Sequence, residues 1–206
     1  NDFTSGPRDF SDYHLNSNIW QMYANREMRF YASVGFNGCY WPASSTTDGS
    51  YRLQTVKYCM DGNSGKYAGT VGSDNYTPTG YVIKKYISSY DAWRGNSSER
   101  YEKGFPIIRY AEILLSYAEA LNQLTTTHAI TLPTGESYSL SRDMDEMAKA
   151  FNQVRYRAGL PGLTQAQLES PTEMFEQIKR ERMVEFLGEG RRFYDVRRWG
   201  IYEDVD

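Results

Sequence analysis

The chain has 206 residues, of which 24% are charged and 40% hydrophobic, with a formal net charge of −3. That balance excludes a disordered chain, and without a concentrated basic face it excludes a nucleic-acid partner. No run approaches the ~18 apolar residues of a membrane span, and the opening NDFTSGPRDF does not read as a signal peptide.

Residues 1–106 hold 20 of the 31 aromatics and 11 of the 17 glycines, so the chain is read in two parts, 1–106 and 107–206. In the first, SSTTDGS (44–50), MDGNSG (60–65) and GNSS (95–98) read as turns or loops. WQMYANREMRF (20–30) reads as beginning with a helical turn or two. RFYASVGF (29–36), YRLQTVKY (51–58) and GYVIKKYI (80–87) read as short strands, the middle one alternating. The arrangement expected is a small sheet wrapped in long loops.

Long ordered loops are uncommon unless they have a role. These carry Tyr40–Trp41, Tyr58, Tyr67, Tyr76, Tyr90 and Trp93. A planar ring on a loop is a platform for a sugar ring, and covering ~100 Å² of it contributes ~2.5 kcal/mol before the cost of association. By ring size and context, Trp41, Tyr40, Trp93, Tyr90 and Trp20 are the candidates for stacking on a ligand. The competing reading for any one tyrosine is an anchor that buries its ring and bonds its hydroxyl. Cys39 and Cys59 leave two readings open, a disulfide worth ~3 kcal/mol or two buried thiols. Neither has the company of a zinc site. Asp61 and Asn63 alternate like calcium ligands but lack a closing Glu, so no metal and no cofactor are expected.

From Ile107 the pattern turns helical. FPIIRYAEILLSYAEALNQL puts Ile107, Ile108, Ala111, Leu114, Leu115, Ala118 and Leu121 on one stripe. Ala111 and Ala118 are small enough to admit another helix closely. Glu112 and Glu119 sit about 10 Å apart along the axis and read as ion-pair partners, not an acid–base couple. DMDEMAKAFNQVRYRAGLPG forms a second helix, started by Asp143 with Glu146 and stopped by Gly159 and Pro161. SPTEMFEQIKRERMVEFLGEG forms a third, with Ser170 as cap, Pro171 at the first position and Glu173 completing the box.

The segment RERMVEFLGEGRRFYDVRRWG (180–200) is the densest in charge. Met174 and Ile178 start an apolar stripe that runs on into Arg182, Glu185 and Glu189, while Met183, Phe186 and Leu187 spread over other faces. Such a helix is expected to be wrapped on several sides, and its buried charges need partners. Arg180, Arg182, Arg191, Arg192, Arg197 and Arg198, with Glu181, Glu185, Glu189 and Asp195, read as a satisfied network stacked on Phe193, Tyr194 and Trp199. Arginines beside each carboxylate suit salt bridges and disqualify a general acid. No carboxylate pair is marked across a cleft, and His14 and His128 lack a nucleophile and an orienting acid, so no enzyme is expected.

Five motifs in order, NREMRFYASVGFNG, TPTGYVIKKYI, PIIRYAEILLSYAEALNQ, FNQVRYRAGLPGLT and IKRERMVEFLGEGRRFYDVRRWG, resemble the SusD/RagB family from about Asn18 to Gly200. The resemblance implies a mainly α fold, with tetratricopeptide-like helix pairs beneath an irregular, loop-rich region with short strands. Residues 107–124 and 143–159 would be one pair, 171–188 the helix after it, and 1–106 the irregular region. Together they would form one structural domain, the C-terminal portion of a longer protein. The family implies a surface-exposed outer-membrane lipoprotein of Bacteroidetes that binds nutrient, mostly glycan, without catalysis. It would sit on a SusC-like TonB-dependent transporter, held to the membrane only by a lipid anchor absent from this chain. Segment 180–200 would then be a structural signature, with Arg29 and Phe30 likewise structural. Family members carry more helix pairs N-terminally, so the Ala111/Ala118 face is expected to expose an apolar patch. Two alternatives remain: a module that docks on the transporter or the rest of the protein without its own ligand, and peptide capture.

Overall fold

The computed structural model describes residues 23, 25–42, 53–67, 76–88, 90–91 and 101–204. The chain divides into two compact units, Asn1–Phe105 and Pro106–Asp206. The described elements are mainly helical, with a few short strands and no closed sheet.

In the first unit, helix α1 (Met28–Ser33) runs directly into strand β1 (Val34–Phe36). Strands β2 (Tyr40–Pro42), β3 (Leu53–Thr55) and β4 (Tyr81–Ile83) follow. β1 pairs antiparallel with β4, Phe36 opposite Tyr81, and β2 with β3, Trp41 opposite Gln54. The small sheet expected is therefore two separate ladders, and RFYASVGF is a strand only at its end. Its aromatic, β-prone start coils into α1 because tertiary packing decides the matter. The helix sets Phe30 against Phe36, with ring centroids 5.1 Å apart, and buries Tyr31, whose hydroxyl donates to the Tyr23 carbonyl at 2.6 Å. Tyr23, Tyr31, Phe36, Cys39 and Val56 form the core, flanked by Phe30, Trp41 and Tyr58.

The second unit contains helix α2 (Tyr110–Asn122), a hairpin of β5 (His128–Thr131) and β6 (Ser137–Leu140), and helices α3 (Met144–Arg157), α4 (Gln165–Glu169), α5 (Pro171–Glu185) and α6 (Arg191–Arg198). α2 packs on α3 and α5 through Leu115, Ala118, Leu121, Met147, Ala150, Phe151, Val154, Met174 and Ile178. Local signals set the ends. The Asp143 carboxylate accepts from the Glu146 amide at 3.0 Å, and Ser170 Oγ accepts from the Glu173 amide at 3.2 Å. At the end of α3, Gly159 turns left-handed (φ 73°); its amide donates to the Tyr156 carbonyl and that of Leu160 to Arg155, a complete Schellman motif.

Three expectations need correction here. α2 begins at Tyr110, and Ile107 and Ile108 precede it, 81% and 64% exposed. The Ala111/Ala118 face exposes no patch, because Ala118 is wholly buried against the core and Ala111 packs on it. α5 is not wrapped on several sides: its buried residues Met174, Ile178, Glu181, Arg182 and Glu185 share one face, and Met183 is exposed. The hairpin and α4 went unread, although LPTGE at 132–136 is a turn signal and Thr164 with Gln167 forms a full capping box.

Candidate functional site

The arginine-rich segment closes on itself. Arg182, buried, donates two parallel bonds to Asp195 at 2.9 Å each, and a third nitrogen donates to Ser116 Oγ at 3.1 Å. Arg198 donates to Asp195 and to both oxygens of Glu119, which also accepts from Trp199 Nε1 at 2.8 Å. Arg109 bridges Glu185 and Glu189, both at 2.7 Å, and Arg157 donates to Glu185 at 2.6 Å. Burial opposes the charge on Arg109, but its bonds to Glu189 and Glu185 outweigh that and hold its pKa above the usual arginine value. Arg191 pairs with Glu112 at 3.0 Å, so both glutamates of α2 are ion-paired as read. The guanidinium of Arg197 lies 3.5 Å from the Phe193 centroid and that of Arg198 4.6 Å from Trp199. Arg109 and Arg182 both lie over Phe186, a platform that the sequence reading left out, as it did the partners Arg109 and Arg157. Each of these carboxylates is spent on arginine, which suits scaffolding and leaves no proton donor.

Comparison with protein families matches the SusD family over residues 2–205. The chain belongs to the SusD family. No curated protein matches it. Among solved structures it is similar to selenomethionine BT4246, a SusD-like protein from Bacteroides, with a TM-score of 0.62 and 23% identity. The likeness covers 93% of this chain and 30% of that one, so this SusD-family chain spans under a third of its solved relative.

The five aromatics proposed from sequence fall in different settings. Trp20 and Trp93 lie outside the described residues. Tyr40 and Trp41 stand on strand β2, not on a loop. The Trp41 ring is half-buried over Gly35, where an added Cβ would come within 2.7 Å of the indole, and the Lys84 ammonium sits 5.8 Å above it. Burial lowers the pKa of Lys84. Tyr90 is 58% exposed and pairs with Tyr101, itself 46% exposed, at a centroid distance of 5.6 Å. Beside them, Asp91 accepts from the Tyr101 amide at 3.0 Å and from Lys103 Nζ at 2.6 Å, and Lys103 donates to the Tyr101 carbonyl at 2.8 Å. Lys103, then the Tyr101 amide, keep the Asp91 carboxyl below its ordinary pKa. Tyr101 and Lys103 were missed; their alternation in YEKGF carries no periodic signal that separates them from loop.

Both thiols are free, Cys39 buried and Cys59 exposed, so neither the disulfide nor the pair of buried thiols describes them. Asn63, weighed as a calcium ligand, accepts from the Lys57 amide at 2.8 Å and so closes its own loop. Among the described residues no cluster of His, Cys, Asp or Glu is placed to hold a metal, and no helix is long and apolar enough to cross a membrane. A groove of about 290 Å³ between α2 and α3 is lined by Arg109, Tyr110, Leu114, Gln153 and Arg157, among others. Two of those arginines are committed to Glu185.

Proposed function

We propose that this chain is a non-enzymatic carbohydrate-binding part of an outer-membrane surface protein that passes glycan to a SusC-like TonB-dependent transporter. The reading is carried by SusD-family membership over residues 2–205. Two features support it. Exposed rings on the first unit offer flat apolar faces beside hydrogen-bonding groups. The densest carboxylate cluster is tied to arginine and has no free acid to cleave a glycosidic bond. The test is calorimetric titration of the chain with soluble polysaccharides, alongside chromatography of the same mixtures. Saturable binding with the glycan recovered intact is expected; release of shorter sugars would overturn the non-enzymatic reading.

A second reading is a docking module. It is favoured by the exposed apolar residues Ile107, Ile108, Tyr110, Ile113 and Tyr117 at the start and along one side of α2. In that case no polysaccharide binds, and charged replacements at Ile113 and Tyr117 abolish association with the transporter while leaving the helical circular dichroism unchanged.

A further inference from the structure

We propose that Tyr90, Tyr101, Asp91 and Lys103 form a subsite for a neutral pyranose, extended by Phe105 and Tyr86 into a platform for an oligosaccharide. This rests on the glycan-binding reading and assigns it a place.

The first observation is the exposure of rings already in contact. Aromatic pairs normally lose both faces to the core, yet here Tyr90 and Tyr101 keep about half their surface in water while touching at 5.6 Å with planes 52° apart. A second pair, Tyr86 and Phe105, has centroids 5.5 Å apart, with Phe105 70% exposed. Tyr86 faces Phe105 and Tyr90 faces Tyr101, so the runs from Tyr86 to Tyr90 and from Tyr101 to Phe105 pass in opposite directions. A ring pair stands at each end of that crossing. Two ring pairs at separate points along the chain suit successive sugar units better than one compact ligand.

The second observation is the polar group beside the first pair. Asp91, Lys103 and the Tyr101 backbone interlock through three bonds of 2.6–3.0 Å. An ammonium has three protons, and Lys103 uses one on Asp91 and one on the Tyr101 carbonyl, leaving one to donate. Of the four lone pairs on the Asp91 oxygens, these bonds take two and the Ser88 backbone a third, which leaves one to accept. A donor and an ionised acceptor side by side match a pair of neighbouring sugar hydroxyls. Because the ion pair already fixes both groups, little ordering is needed on binding.

The third observation is charge. Asp91 and Lys103 cancel, and the intervening Glu102 is exposed. Nothing in the group attracts an acidic sugar, so the class is neutral glycan.

The test is affinity electrophoresis and calorimetry of the full 206-residue chain with amylopectin, galactomannan, arabinoxylan and mixed-linkage β-glucan, with polygalacturonate as the acidic probe. One neutral polysaccharide is expected to bind, and its oligosaccharides more tightly than its monosaccharide. Tyr90→Ala and Tyr101→Ala should each weaken binding about tenfold, while Tyr101→Phe retains it. Phe105→Ala, at the most exposed ring, should weaken the oligosaccharide and leave the monosaccharide unchanged; it also keeps the test decisive if Tyr101→Ala fails to fold by circular dichroism. Binding to a neutral glycan that survives Tyr90→Ala and Phe105→Ala overturns this subsite and leaves the glycan-binding reading intact. Binding to polygalacturonate alone overturns the neutral class. No binding by the unaltered chain to any probe overturns the glycan-binding reading and the subsite with it.

Discussion

Arg182 and Asp195 explain why a segment so rich in charge behaves as core. Each is nearly buried, and each supplies what the other loses on leaving water, through two parallel bonds at 2.9 Å. Removing one partner strands the other. Arg182→Met is therefore expected to destabilise the second unit by about 3 kcal/mol, towards the low end for a broken buried pair because Arg198 still donates to Asp195. Urea denaturation followed by circular dichroism checks this, and adding Asp195→Leu should recover part of the loss. If Arg182→Met costs less than ~1 kcal/mol, the network is not what holds this segment. In the first unit the sensitive residue is Tyr23. Burial, followed by its 3.0 Å bond to the Tyr81 hydroxyl, pushes its pKa from 10.0 up to about 12. A group whose pKa is raised by folding contributes stability that is whole below its unfolded pKa and is lost as pH climbs through the folded one. Stability should fall between pH 10 and about 12. Tyr58, also pushed up by burial, adds to the fall, so Tyr23→Phe should flatten it only in part. A denaturation midpoint unchanged from pH 9.5 to 11.5 in the unaltered chain would refute the assignment.

At the scale of elements, packing geometry makes testable demands on loop as well as helix. The loop from Lys57 to Tyr67 is held by backbone bonds from Ser64 to Lys57 and from Tyr67 to Met60, and a Cβ on Gly65 would stand 1.7 Å from the Cys59 carbonyl oxygen. Gly65→Ala must open that loop and is expected to cost at least ~2 kcal/mol, whereas Gly135→Ala, with nothing within 4 Å, should cost only the ~1 kcal/mol of its left-handed backbone. Thermal denaturation of the two variants separates the effects. The helices α2, α3 and α5 were legible in sequence because their 3.6 period and caps are local signals. The first unit was legible only in part: β1, β3 and β4 each fall within a segment read as strand, but they are three residues long, β2 gave no strand signal, and α1 forms from residues whose propensity favours strand. The ion-pair network was legible in kind, since unpaired buried charges are costly, but not in pairing. Arg109 finds Glu185 and Glu189 about 80 positions away, and nothing in the sequence near either end names the other. Among the aromatics, ring size and loop context drew attention to Trp41, which lies half-buried over Gly35. The exposed partner of Tyr90 is Tyr101, ten residues beyond Asp91, visible only once the chain has folded back.

For the whole molecule, the two units divide the labour. The second unit carries the helical core and the arginine network, with one exposed ring pair, Phe193 and Tyr194; the first carries the pairs Tyr90–Tyr101 and Tyr86–Phe105. Leu115, Met147, Phe151, Met174 and Ile178 are wholly buried within residues 106–206, and the ion pairs of Arg109, Arg157, Arg182 and Arg198 all end on carboxylates of that same unit. A unit of about 100 residues that meets its own burial and charge requirements has what independent folding needs. Residues 106–206 expressed alone are therefore expected to show helical circular dichroism and one cooperative urea transition. They should bind none of the polysaccharides that the full chain binds, because Tyr90, Tyr101 and Phe105 are gone. A molten product, helical but binding a hydrophobic dye and unfolding without a clear transition, would mean that the core relies on residues outside the unit. A folded product that binds glycan would place the ligand on the helices and direct attention to the groove between α2 and α3.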